Sequence, residues 1–211
     1  MGKKCLVVYS SHSGNTKKVA LRFKSTFEKN GWSCNMFKVR KKAEDILRPP
    51  YNIYDYDFLC VGSGIVAHGP YSELLLFIRR IMYGFDPRIG LKLRGEEVTY
   101  LKEPITDTKR GDPAEIHRKI SFKPNSKKCA VFVTYGGMEF GPKEAVPAMQ
   151  LLALEIEHLE FECVGQFCCP GKYLNHPTPR AYHGDIRERP NKRDLLKAEI
   201  FVEEILEQIA R

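Results

Sequence analysis

Seven consecutive residues, Ser10-Ser11-His12-Ser13-Gly14-Asn15-Thr16, bring four hydroxyls, an imidazole, an amide and a glycine together. The apolar run Leu6-Val7-Val8-Tyr9 precedes them, and a helical pattern with Val19, Ala20 and Phe23 on one face follows. A strand ending in a polar turn at a helix start is suited to an anion. The first N–H groups of a helix have no internal partner and carry partial positive charge. Ser11, Ser13 and Thr16 add hydroxyl donors, and Gly14 lets the backbone approach closely. The stretch has no G-x-x-x-x-G-K-[ST], so it lacks the lysine of a nucleoside-triphosphate loop, and no G-x-G-x-x-G for a dinucleotide pyrophosphate. A cradle of hydroxyls without a fixed lysine or arginine suits a phosphate monoester. The plainer alternative is an ordinary strand-to-helix turn with a serine-rich N-cap.

Two later turns add weight. Gly62-Ser63-Gly64-Ile65-Val66-Ala67-His68-Gly69-Pro70 follows a third apolar strand, and Thr134-Tyr135-Gly136-Gly137-Met138 follows a fourth. Glycines let backbone amides reach the polar edge of a flat ring, while one or two side chains cover its faces.

Tyr9, Ser11 to Thr16 and Ala20 resemble the FMN phosphate loop of the flavodoxins: an aromatic, then S/T-x-S/T-G-N-T, then an alanine. Asp57-Phe58-Leu59-Cys60-Val61-Gly62-Ser63-Gly64 is similar to that family's third strand and the loop after it. The resemblance covers nearly the whole chain except 84–128. It implies a flavodoxin-like α/β sandwich and an FMN cofactor. Its binding residues would be Ser11, His12, Ser13, Gly14, Asn15 and Thr16, then Ser63, Gly64, Ile65, Val66, His68 and Gly69, then Thr134, Tyr135, Gly136 and Gly137. Several departures matter. His12 stands where the family has a hydroxyl residue, so its backbone N–H is what carries over. Phe23 replaces an aliphatic residue. Electron-carrier flavodoxins place a large aromatic in the first ring-covering loop, where this chain has Val66-Ala67-His68. The ring face there would be covered by an aliphatic residue, His68 or Tyr71, and the other face by Tyr135 or Met138. A less enclosed flavin leaves room for a second planar substrate.

The segment after the fifth strand reads Cys168-Cys169-Pro170-Gly171, His183-Gly184-Asp185 and Arg189-Pro190-Asn191, and resembles the ends of a group of flavodoxin-like proteins from anaerobes. Vicinal Cys168 and Cys169 could be redox-active near a flavin, and His176 and His183 could donate protons to a reduced product. The plainer readings are a buried thiol beside an idle one and loop-ordering histidines. The spacing of Cys169, His176 and His183 matches no zinc pattern.

The elements that must position these residues alternate strand and helix. Strands are expected over 4–9, 33–39, 57–62, 129–134 and 161–166. Helices are expected over 15–29, 43–48, 71–83, 142–158 and 191–210, with Asn191 or Asp194 capping the last. Strands one, three and four are almost continuously apolar, as parallel strands covered on both faces are. A doubly wound five-stranded sheet in the order 2-1-3-4-5 follows, with the phosphate turn after strand one. Residues 1–211 form a single domain in this reading, with 84–128 as an insertion before strand four. That insertion makes a hairpin around 97–101 and 119–122, a contact in a homo-oligomer, or a basic docking surface. The loop 167–190 leaves a strand's carboxyl end on the flavin side.

The 211 residues, 43% hydrophobic, are enough for one full α/β core. No apolar run approaches the roughly eighteen residues of a membrane span, and the N-terminus reads directly into a strand without a signal peptide. A cytoplasmic protein is the expectation, which also disfavours disulfides among the seven cysteines. Cys5, Cys34, Cys60, Cys129 and Cys163 read as buried strand thiols. The net charge is +8. The basic residues are interleaved with acids and no nucleic-acid motif is present, so a docking face for an acidic protein or an anionic substrate is preferred. Flavodoxins are typically acidic, which makes the charge a further departure. Electron transfer by bound FMN, with an acidic ferredoxin-like redox partner, is the first functional reading. An FMN-dependent oxidoreductase taking hydride from a nicotinamide cofactor and reducing a quinone or similar acceptor is the second. A flavin-free interaction module is the third.

Overall fold

The computed structural model describes residues 2–83, 127–136, 140–172 and 186–210. Strand β1 (Lys4–Ser10) leads into helix α1 (Asn15–Lys29), then β2 (Ser33–Lys38) and the short α2 (Ala43–Leu47). Strand β3 (Phe58–Val66) turns back through the two-residue β4 (Gly69–Pro70) into α3 (Ser72–Tyr83). Strand β5 (Lys127–Tyr135), a 3-10 turn (Gly141–Ala145), α4 (Val146–Glu157), β6 (Phe161–Pro170) and α5 (Lys192–Ala210) complete the fold.

The sheet runs β2-β1-β3-β5-β6, with all four of these pairings parallel. Setting the small β4 aside, this is the order 2-1-3-4-5 read from the sequence. The antiparallel β3–β4 pairing was not anticipated. Strand ends also differ from expectation, because neighbouring strands fix them. β3 runs on to Val66, its ladder continuing through Ser10↔Ser63 and Gly64↔Thr134. Ser63, Gly64, Ile65 and Val66 are therefore strand residues, not loop residues. β6 extends to Pro170, opposite Tyr135, so Phe167 to Pro170 lie in the sheet and not in a loop. The helix expected over 142–158 divides into the 3-10 turn and α4, with Pro147 in the first turn where its missing N–H costs nothing. The hairpin expected at 97–101 and 119–122 lies outside the described residues.

Alternation along the central strands feeds two separate cores. Cys5, Val7 and Tyr9 pack with Val19, Phe23 and Phe27 of α1 and Val202 and Ile205 of α5. Leu6, Val8, Val61 and Val131 pack on the opposite face with Leu74 and Ile78 of α3 and Leu152 and Ile156 of α4. Each strand is thus covered on both faces, which the unbroken apolar runs require. On the outside, Arg22 and Lys29 of α1 each reach Glu199 of α5 at 3.1 Å. All seven cysteines are free thiols; Cys5, Cys34, Cys60 and Cys129 are buried and Cys163 is half-buried. Among the described residues no helix is long and apolar enough to cross a membrane.

Candidate cofactor-binding site

Parallel pairing of β1, β3 and β5 puts the three polar or glycine-rich turns side by side at one edge of the sheet. Ser10 stands opposite Ser63, and Gly64 opposite Thr134. α1 begins at the first of these turns. Its N-cap is Gly14, held at φ 85°, a left-handed conformation that glycine adopts without steric cost. No side chain of the N-cap residue caps the helix and its first turn holds no acid. The nearest substitute is Ser11 Oγ, 3.4 Å from the Lys17 N–H, which is long for a hydrogen bond. Among the described residues, the one serine contact to the helix start is this long bond from Ser11, and the N-cap position itself is glycine. The helix start offers N–H groups and partial positive charge at a site lined by buried Ser11, Asn15 and Thr16 and half-buried Ser13.

Several site residues are engaged with one another. Thr16 Oγ1 and Thr134 Oγ1 lie 2.9 Å apart, joining the helix start to the end of β5. Asn15 donates its side-chain N–H to the Lys172 carbonyl at 2.7 Å, and Gly171 N–H donates to the Tyr135 carbonyl at 2.8 Å. The Asn15 side chain thus fastens the end of β6 to the cradle, leaving its backbone for a ligand. Ser63 Oγ accepts from the Tyr71 N–H at 2.8 Å and donates to the Gly64 carbonyl at 2.7 Å. Its hydroxyl orders the β3–β4 hairpin. At the hairpin tip Ala67 and His68 both have positive φ (46° and 63°), as a two-residue type I′ connection requires.

The ring-covering candidates sort clearly. Tyr71 packs against Gly64 so closely that a Cβ there would lie 2.6 Å from its ring, and it stacks on His12 with centroids 3.8 Å apart. Tyr135 is buried in the α3/α4 core, where burial pushes its phenol well above the usual range. Tyr71 is half-buried, and Tyr135 is buried. Val66, 60% exposed, and exposed His68 lie at the tip of the β3–β4 hairpin, beside half-exposed Ile65 and Gly69. Gly136 is half-buried. Gly137, Met138, His176 and His183 lie outside the described residues. Cys168 and Cys169 alternate to opposite cores on β6, and burial pushes both thiols up, away from the thiolate that redox exchange needs. Among the described residues no cluster of three metal-binding side chains occurs.

One functional-looking group escaped the sequence reading. Glu73, in the first turn of α3, is buried and reaches the cradle loop. Ser10 Oγ donates to its Oε1, and His12 Nε2 lies 2.7 Å from the same oxygen. Oε2 is buried with no hydrogen-bond partner. Burial alone would raise this carboxyl, but hydrogen bonds from Ser10, its own backbone N–H and His12 outweigh it and hold the group below the usual range. A glutamate in a first helical turn reads as an ordinary dipole partner, so nothing local marks it as special.

No family model matches the chain, and no curated protein matches it in sequence. Solved structures do. A flavodoxin from the domain Archaea is 16% identical, with 99% of each chain covered and a TM-score of 0.53. Oxidised Flavodoxin 2 from Bacillus cereus is 15% identical over 97% of this chain and 99% of its own, TM-score 0.56. Rubredoxin oxygen:oxidoreductase from Desulfovibrio gigas, 15% identical, matches 98% of this chain with 36% of its own length, TM-score 0.54. Strand order, the turn after β1 and these matches agree, and the chain has the flavodoxin-like fold.

Proposed function

We propose that the chain binds FMN at the edge formed by β1, β3 and β5 and serves in electron transfer. The observation that carries this is the start of α1: a helix N-terminus behind left-handed Gly14, with only a long bond from Ser11 to its first turn and no acid there, ringed by Ser11, Ser13 and Thr16. These groups fit a phosphate monoester, and half-buried Gly136, just past the end of β5, lies at the same sheet edge. In this reading Ser11, Ser13, Thr16 and the backbone of His12 to Thr16 hold the phosphate. The loop ends of β3 and β5 hold the ring. Bound FMN supplies reversible one- or two-electron transfer; the chain supplies placement and the electrostatics around it.

A specific observation favours the oxidoreductase reading as the second. With Tyr71 packed on Gly64 and His12, the β3–β4 hairpin tip presents Val66 and His68 instead of a large aromatic, which in this reading leaves a ring face accessible to a nicotinamide. The visible spectrum of purified protein, recorded after FMN addition and ultrafiltration, tests both. Retained FMN reduced by an acidic ferredoxin-like protein but not by NADH or NADPH supports the carrier. Rapid bleaching by a nicotinamide supports the reductase. A protein that retains no flavin favours the interaction module and removes both.

A further inference from the structure

Every other group in the cradle loop is neutral, yet a buried carboxylate lies directly beneath it. Ser10, the last residue of β1, and His12 in that loop hold Glu73 Oε1, while among the described residues Oε2 has no partner. A dianionic phosphate brought to this loop would meet an uncompensated negative charge at close range. His12 is the one side chain between residues 10 and 16 able to carry a positive charge. It is no loose surface histidine: Nε2 is 2.7 Å from Glu73, and the ring lies within 8° of parallel on Tyr71, which packs in turn against Gly64. The side chain is nonetheless 45% exposed, and among the described residues Nδ1 has no hydrogen-bond partner.

We propose that His12 is a phosphate-binding residue of the cradle and that Glu73 positions it. This rests on the FMN reading above and adds to it a side-chain contact the family pattern does not supply. With a carboxylate at Nε2 and a phosphate at Nδ1, both ring nitrogens act as donors, so the ligand-bound ring carries both protons. The imidazolium then stands between two anions and screens each from the other. Glu73 and the Tyr71 stack fix the ring plane in advance, so little side-chain freedom is lost on binding. The arrangement selects phosphorylated ligands over the same ligand without its phosphate.

The test compares FMN with riboflavin, which lacks only the phosphate, by flavin fluorescence titration of the whole protein. His12→Gln keeps a polar side chain at a half-exposed site and is expected to fold normally. It should weaken FMN about tenfold and leave riboflavin unchanged. Glu73→Gln should shift the same FMN-to-riboflavin ratio, and should add little to that shift when combined with His12→Gln, because Glu73 acts through His12. Equal weakening of both flavins, or FMN affinity untouched by His12→Gln, overturns the proposal. If the wild-type protein binds neither flavin, the FMN reading fails separately. Inorganic phosphate, followed by phosphorus NMR, then decides this one: binding by wild type that His12→Gln weakens supports it, and equal binding or none overturns it.

Discussion

Thr16 and Thr134 share one hydrogen bond across the cradle, so one hydroxyl donates and the other keeps its hydrogen for a further acceptor. Thr16→Val keeps volume but removes that hydroxyl and leaves buried Thr134 unpaired. FMN affinity should fall about tenfold and the flavin-free protein should lose about 1 kcal/mol in urea unfolding. Affinity equal to wild type would remove Thr16 from the site. Glu73 gives a pH prediction. Its carboxyl sits below the usual range when folded, so its ionised form contributes stability above the ordinary glutamate titration range. That contribution is lost as pH falls through and below that range. Asp45, held low by the Arg40 guanidinium at 2.7 Å, loses stability in the same direction. The difference between wild type and Glu73→Gln isolates Glu73: the gap in unfolding free energy should narrow on acidification, and a constant gap would contradict the assignment.

At the level of elements, how far a strand runs depends on its neighbours, and the sequence alone was weakest there. The strand-to-helix turn after β1 was legible because its seven residues are contiguous and their chemistry is local. The cap of α5 was legible for the same reason: Asn191 Oδ1 accepts from the Arg193 and Asp194 N–H groups at 3.0 and 3.2 Å, and Asp194 reaches back to the Asn191 N–H at 2.9 Å. The ends of β3 and β6 were not legible, because Ser63 and Cys168 become strand residues only through Ser10 and Val133 on adjacent strands. Glu73 was not legible because it meets Ser10 across 63 positions of sequence. Two substitutions test the elements directly. Asn191→Ala removes a cap and should cost about 1 kcal/mol. Asp194→Ala removes the reciprocal cap and strands Arg189, which it grips through both oxygens, and should cost about 3 kcal/mol or more. Thermal unfolding orders the two, and the reverse order would show that the ion pair contributes less than the cap. Gly64→Ala would drive a Cβ to 2.6 Å from Tyr71, displacing the ring from His12. Its near-ultraviolet dichroism should change while the far-ultraviolet helix signal persists.

Across the whole molecule, a flavodoxin-like fold is combined with a net charge of +8. Eleven lysines and arginines against seven acids fall within 84–128, so about half of that excess sits in one segment. A basic protein that exchanges electrons with an acidic one gains its encounter rate from long-range attraction, which salt screens over roughly 10 Å at about 0.1 M. The carrier reading therefore makes a kinetic prediction that the reductase reading does not share to the same degree. The second-order rate of reduction by an acidic ferredoxin-like protein should fall about tenfold from low to physiological ionic strength. Reduction by a nicotinamide, with few charges and a short approach, should fall much less. Stopped-flow traces across a salt series separate the two. A protein-partner rate that is flat in salt would mean that the basic excess does not face the site of electron exchange.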